Sequence, residues 1–172
     1  LLWEGTLAAP SPGEFEEWIH GQVVADIRRR GKFIVSQLSR HALLVHLRMS
    51  GDLLVESAAA PVATHDRLLL DLDGGIRLAF NDTRKFGRVW LVEDPASVLG
   101  SLGPEPLDDS FTPSELHRRL QSHQRMLKPL LLDQSFLAGM GNIYVDEALH
   151  VAGLHPMKIS DSLSAEQSER LW

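Results

Sequence analysis

Across residues 94–112 the period of the apolar residues changes, and that change constrains the fold more than any other feature of the chain. On its N-terminal side the periodicity shifts toward strands, in short runs at 23–27, 33–38, 42–47, 52–56, 67–72, 76–80 and 88–92. Turn signals such as Ser50-Gly51-Asp52 and Asp73-Gly74-Gly75 separate them, which predicts an antiparallel two-sheet sandwich or a barrel. On its C-terminal side the runs 113–121, 128–134, 143–153 and 165 onward read as helices. Between the two, Leu102-Gly103-Pro104-Glu105-Pro106-Leu107 holds too much proline for a helix or a central strand. The expectation is an α+β chain with a β domain over 1–94, a structured linker over 95–112 and a helical domain over 113–172. One early helix is also expected at 12–19, capped by Ser11, with Phe15, Trp18 and Ile19 on a common face.

Several function classes are excluded for these residues. The chain has no cysteine, so it holds no disulfide, thiolate metal site or cysteine nucleophile. Its eight histidines are scattered without HxxxH or HExxH pairing, and no metal site is expected within residues 1–172. No apolar run approaches the ~18 residues of a membrane span, and no targeting signal is visible, so the default location is the cytoplasm. Both ends read as cut: the chain opens on Leu1 without a methionine and stops at Trp172 inside a helix announced by Ser164-Ala165-Glu166-Gln167. A fragment of a longer protein is expected.

A formal charge of −6, from 17 Lys and Arg against 23 Asp and Glu, argues mildly against nucleic acid. Its distribution argues the other way, because the basic residues crowd into Arg28-Arg29-Arg30-Gly31-Lys32, Arg84-Lys85-Phe86-Gly87-Arg88 and the stretch 117–128. The first cluster is either a solvated strand edge or a bend that presents Lys32, its pKa lowered by neighbouring cations, to a phosphate or a proton. Met49 in His46-Leu47-Arg48-Met49-Ser50-Gly51 is either a core side chain beside a turn or an apolar wedge for stacked bases. Arg84 and Phe86 in the loop 82–88 make a similar pair. Gly139-Met140-Gly141-Asn142 opens a helix, with Asn142 either a plain N-cap or part of an anion site that includes Lys128 and Tyr144.

The order of these pieces resembles the formamidopyrimidine-DNA glycosylase family of base-excision repair enzymes, from about residue 28 to residue 156. The motifs that carry the resemblance are RRRGKF, HLRMSG, His65-Asp66, DTRKFGR, LGPEPL, LKPLLLD and GMGNIYVDEALHVAGLHP. It implies a two-sheet β domain joined to a helix-two-turn-helix domain, and damaged double-stranded DNA as the partner of a monomeric, cytoplasmic bacterial protein. The implied activity is removal of oxidised purines, 8-oxoguanine and formamidopyrimidines, followed by β,δ-elimination through a Schiff base. The family's proline nucleophile and its acidic partner would precede Leu1, and its four-cysteine zinc finger would follow Trp172. The parent protein would therefore carry zinc, while residues 1–172 would hold no cofactor and be inactive alone.

By the same resemblance Lys32 serves the elimination step and His46 contacts a phosphate. Met49, Arg84 and Phe86 fill the gap left by the everted base, and His65 contacts DNA. Asn142, with Tyr144 and Lys128, belongs to the helix-two-turn-helix phosphate clamp, and His123 falls where a basic DNA contact is often found. The chain departs from the usual pattern at Arg48, where glycine is common, at Thr83, where proline is, and at Lys85, where a second arginine is. The alternatives are an endonuclease VIII-like enzyme for oxidised pyrimidines and a non-catalytic nucleic-acid-binding module. GNIY and LGPEPL look more like the formamidopyrimidine branch.

Overall fold

A computed structural model describes all of residues 1–172 and divides them into two compact units, Leu1–Val98 and Leu99–Trp172. The first is built on two sheets. Strands β1 (Leu7–Ala9), β2 (Val24–Arg30), β3 (Phe33–Leu38), β4 (Ala42–His46) and β8 (Arg88–Val92) form a five-stranded sheet in the order β1-β8-β4-β3-β2. Strands β5 (Gly51–Ser57), β6 (Asp66–Leu72) and β7 (Ile76–Asp82) form a second sheet in the order β5-β7-β6. Every pairing is antiparallel except that of β1 with β8. The periodicity does not announce β1, because three residues are too short to show an alternation.

Inward-facing residues of both sheets meet in one core. Leu38, Leu43, Val45, Val89 and Leu91 come from the larger sheet, Leu68 and Phe80 from the smaller, and Phe15 from helix α1 (Pro12–Ile19). The start of α1 is set locally: the Glu14 carboxylate accepts the Ser11 hydroxyl at 2.6 Å and the Ser11 N–H at 3.1 Å. Strand β4 is buried along its whole length, as a central strand covered on both faces must be.

The second unit opens with a short helix, α2 (Ala96–Leu99), across the unit boundary, then the proline-rich stretch, then α3 (Pro113–Gln121), α4 (Leu127–Leu132), α5 (Asn142–Ala152) and α6 (Ala165–Leu171). Helix α2 lies within the expected structured linker, ahead of the proline-rich residues 102–107, and its single turn has no apolar period to read. Thr112 caps α3 by accepting the Glu115 N–H, and Ser164 and Gln167 form a reciprocal capping box at α6. Leu116, Leu120, Leu127, Leu130, Phe136, Val145 and Leu149 make its core. No helix is long and apolar enough to cross a membrane.

Candidate nucleic-acid interface

The β2–β3 hairpin closes on Gly31 and Lys32, with Arg30 paired to Phe33. Gly31 takes a φ of 55°, in the left-handed region that glycine enters without steric cost, and the chain reverses so that Lys32 stands at the tip. Phe33 lies opposite His46, the last residue of β4, and the two rings meet edge-on with centroids 4.8 Å apart. His46 is buried, and its Nδ1 accepts the backbone N–H of Arg48 at 3.1 Å, which leaves Nε2 carrying the proton of the neutral ring. Burial first, then the charges of Arg48 and Lys32, push the imidazole down to about 4. Lys32 is lowered in the same way, by part burial of its ammonium and then by Arg48. The cluster thus pairs two cations with a histidine that is a neutral N–H donor at pH 7.

This histidine makes stability depend on pH. In the unfolded chain the imidazole takes up its proton below ~6.5, while in the folded chain it does so only near 4, so acid favours unfolding over that window. The contribution is fully present above the unfolded value and is lost as pH falls toward 4, by about 3 kcal/mol. Urea midpoints of the β unit measured from pH 7 to pH 4 should fall accordingly. His46→Gln should flatten the slope, and an unchanged slope in that variant would show that another group is titrating.

The loops at 47–50 and 83–87 carry the apolar tips. Met49 is 73% exposed and Phe86 47% exposed, and the Arg84 guanidinium lies over the Phe86 ring at 4.8 Å. Each loop also holds a non-glycine residue at positive φ, Arg48 at 59° and Lys85 at 61°. Asp82, at the end of β7, reaches both: its carboxylate accepts the Ser50 hydroxyl at 2.6 Å and the Gly87 N–H at 2.7 Å. Its backbone N–H donates to the carbonyl of His65 at 2.9 Å, and Arg67 Nη2 donates to His65 Nδ1 at 3.3 Å. The fold therefore brings Lys32, His46, Met49, His65, Arg84 and Phe86 to one end of the β unit. Sequence reasoning missed Asp82, Ser50 and Arg67; the Asn81-Asp82 pair before a turn was the available signal, since Asx side chains bind nearby backbone N–H groups.

In the helical unit the N-cap of α5 is Gly141, in extended conformation, and not Asn142, which stands at the first helical position. The reason is that Gly141 already supplies the carbonyl that accepts the Val145 N–H. The Asn142 side chain is thereby exposed and unengaged within the chain, beside the N–H groups of Asn142, Ile143 and Tyr144, which have no acceptor in the chain. Gln134 shapes the preceding turn: its Oε1 accepts the Gly139 N–H at 3.0 Å, and its Nε2 donates to the Met140 carbonyl at 2.9 Å. Lys128 pairs with Asp146 at 2.7 Å, one helical turn beyond Asn142, so its ammonium lies on the same face of α5. Tyr144 is exposed in the first turn. His123 donates from Nδ1 to the Arg119 carbonyl at 2.9 Å, and its ring lies edge-on to Phe136.

No group of three or more His, Cys, Asp or Glu side chains is arranged to hold a metal ion. The four-cysteine zinc site of the resemblance does not fit the residues present, which include no cysteine.

Comparison with known proteins bears on the whole chain. The family described as formamidopyrimidine-DNA glycosylase N-terminal domain matches residues 1–89, and the formamidopyrimidine-DNA glycosylase H2TH domain matches residues 102–172. A formamidopyrimidine-DNA glycosylase of Protochlamydia amoebophila is 42% identical over 173 residues, covering 100% of this chain and 63% of that protein. One of Chloroflexus aurantiacus is 46% identical over 174 residues, covering 99% and 62%. Among solved structures, the Lactococcus lactis Fpg (MutM) complex with a FAPY-dG containing DNA superposes with a TM-score of 0.89 at 29% identity, covering 98% of this chain and 65% of that one. The same enzyme bound non-covalently to DNA containing an AP site gives 0.89 at 30% identity, covering 98% and 66%. The chain thus spans less than two thirds of the length of these relatives.

Proposed function

The chain belongs to the formamidopyrimidine-DNA glycosylase family, and from that membership we propose that its parent protein excises oxidised purines from double-stranded DNA and then cuts the strand at the abasic site. The observation that carries the proposal is the set of exposed tips, Met49 and Phe86 with Arg84 stacked upon it, beside the cluster of Lys32, neutral His46 and Arg48. Flipping a purine out of a duplex costs a few kcal/mol of stacking, and inserted side chains restore part of it. Two apolar tips and a guanidinium suit that task. His46, through Nε2–H, and His65 contact backbone phosphates next to the lesion.

In the excision step an amine supplied from outside residues 1–172 attacks C1′ of the sugar, and the base leaves with the glycosidic electron pair. The amine then loses its proton and its lone pair breaks the C1′–O4′ bond, with O4′ taking up a proton; the ring-opened iminium that results is an electron sink, so loss of a proton from C2′ expels the 3′ phosphate. Lys32, lowered from the ordinary lysine range, moves a proton in this elimination. Asn142 and Tyr144 at the start of α5, Lys128 from α4, and His123 hold the phosphodiester backbone. The location proposed is the cytoplasm, on chromosomal DNA.

Borohydride reduction on a duplex carrying 8-oxoguanine tests the reading. The full-length protein should give a covalent adduct, and residues 1–172 alone should give none while still binding the duplex with an affinity that falls steeply with salt. Absence of an adduct from the full-length protein would overturn the Schiff-base chemistry.

A further inference from the structure

Asp82 is a buried carboxylate, 1% exposed, to which the chemistry described so far assigns no role. Burial alone pushes its carboxyl up, yet the Ser50 hydroxyl and the N–H groups of Gly87, Arg84 and Phe86 hold it below its ordinary value. Its four donors come from two different loops. Three are backbone groups of 83–87, the loop of Arg84 and Phe86, and the fourth is the residue next to Met49. Asp82 also ends the β5–β7 ladder opposite Gly51, so the Ser50 bond crosses from loop to loop just where backbone pairing stops.

We propose that Asp82 is a positioning residue that joins the two loops into one element, so that Met49 enters the duplex together with Arg84 and Phe86. The proposal rests on the insertion reading above. Two short loops that moved independently would each lose conformational freedom on entering the stack; a shared anion removes that cost before DNA arrives. The anchor must be an acceptor on both oxygens. Asparagine would turn an NH₂ toward either the Arg84 N–H or the Gly87 N–H, and one of those donors would lose its acceptor.

The test uses the full-length protein at saturating concentration on a duplex with a tetrahydrofuran abasic analogue next to 2-aminopurine, whose fluorescence rises when its stacking is broken. Ser50→Ala severs the crossing bond and leaves the other three. It should reduce the fluorescence rise, and single-turnover excision of 8-oxoguanine, by about five- to tenfold, the worth of one hydrogen bond in a buried site. Ser50→Thr keeps the hydroxyl and should restore both. Binding to undamaged duplex, which depends on phosphate contacts, should stay within about twofold. Met49→Ala should cost much less in the Ser50→Ala background than in the wild type, because coupled residues are not additive. A full fluorescence rise with Ser50→Ala, or additive losses, would overturn the coupling while leaving insertion intact. A wild-type protein that produces no rise would overturn insertion and the coupling with it.

Discussion

Replacing Lys32 with alanine in the full-length protein is expected to slow strand cleavage at an 8-oxoguanine site by about a hundredfold or more, the usual worth of a positioned proton-transfer group. Gly31 turns the chain so that Lys32 leads, and its ammonium is lowered by part burial and then by the neighbouring Arg48. An ordinary lysine holds its proton too tightly to give up at neutral pH, so the direction of the shift favours proton transfer. The companion variant Arg48→Gly removes the second cause and should move the alkaline limb of the pH–rate profile upward. It should also relieve a backbone that Arg48 holds at a φ of 59°, which costs a non-glycine residue about 1 kcal/mol. Single-turnover cleavage and its pH profile are the measurements. A Lys32→Ala protein within about threefold of wild type would remove Lys32 from the chemistry.

The second large effect is on stability. Phe80→Ala should lower the unfolding free energy of the β unit by about 3–5 kcal/mol, the range for deleting a buried phenylalanine side chain. Phe80 is fully buried between the sheets, and its ring underlies both loops: a Cβ added at Gly87 would stand 2.3 Å from the ring, and one at Gly51 3.0 Å from it. The cavity would therefore open directly beneath the loops that carry Met49 and Phe86. Urea denaturation followed by tryptophan fluorescence would measure the loss, and excision should fall in the variant even where it stays folded. The transition of the helical unit should be unaffected, since Phe80 belongs to the β core alone. A loss under about 1 kcal/mol would mean that the site collapses around the missing ring.

Much of this architecture was legible from local rules. Strand runs were readable because short apolar-rich runs of strand length are cut off by turn residues, as β5 and β7 are at Ser50-Gly51-Asp52 and Asp73-Gly74-Gly75. Helix starts were readable at Ser11 and Ser164 because the capping partner lies three residues away. Where a backbone group had already filled a role, the local rule failed, as at Asn142, displaced from the cap by Gly141. Strand β1 escaped because its pairing with β8 joins residues some eighty positions apart and leaves no period in three residues.

What the sequence determined by itself was the α+β division, most element positions and the residue types at the tips, Lys32, Met49, Arg84 and Phe86. These depend on neighbours within a few positions, which the chain order states outright. Only the tertiary structure decided that His46 is neutral, that Lys128 shares its charge with Asp146, and that Asp82 gathers donors from two loops. Those properties depend on burial and on groups brought together by the pairing of β4, β5 and β7 and the packing of α4 on α5. A pKa or a hydrogen bond is set by what lies within a few ångströms, and distance in space is fixed by register and packing rather than by position along the chain.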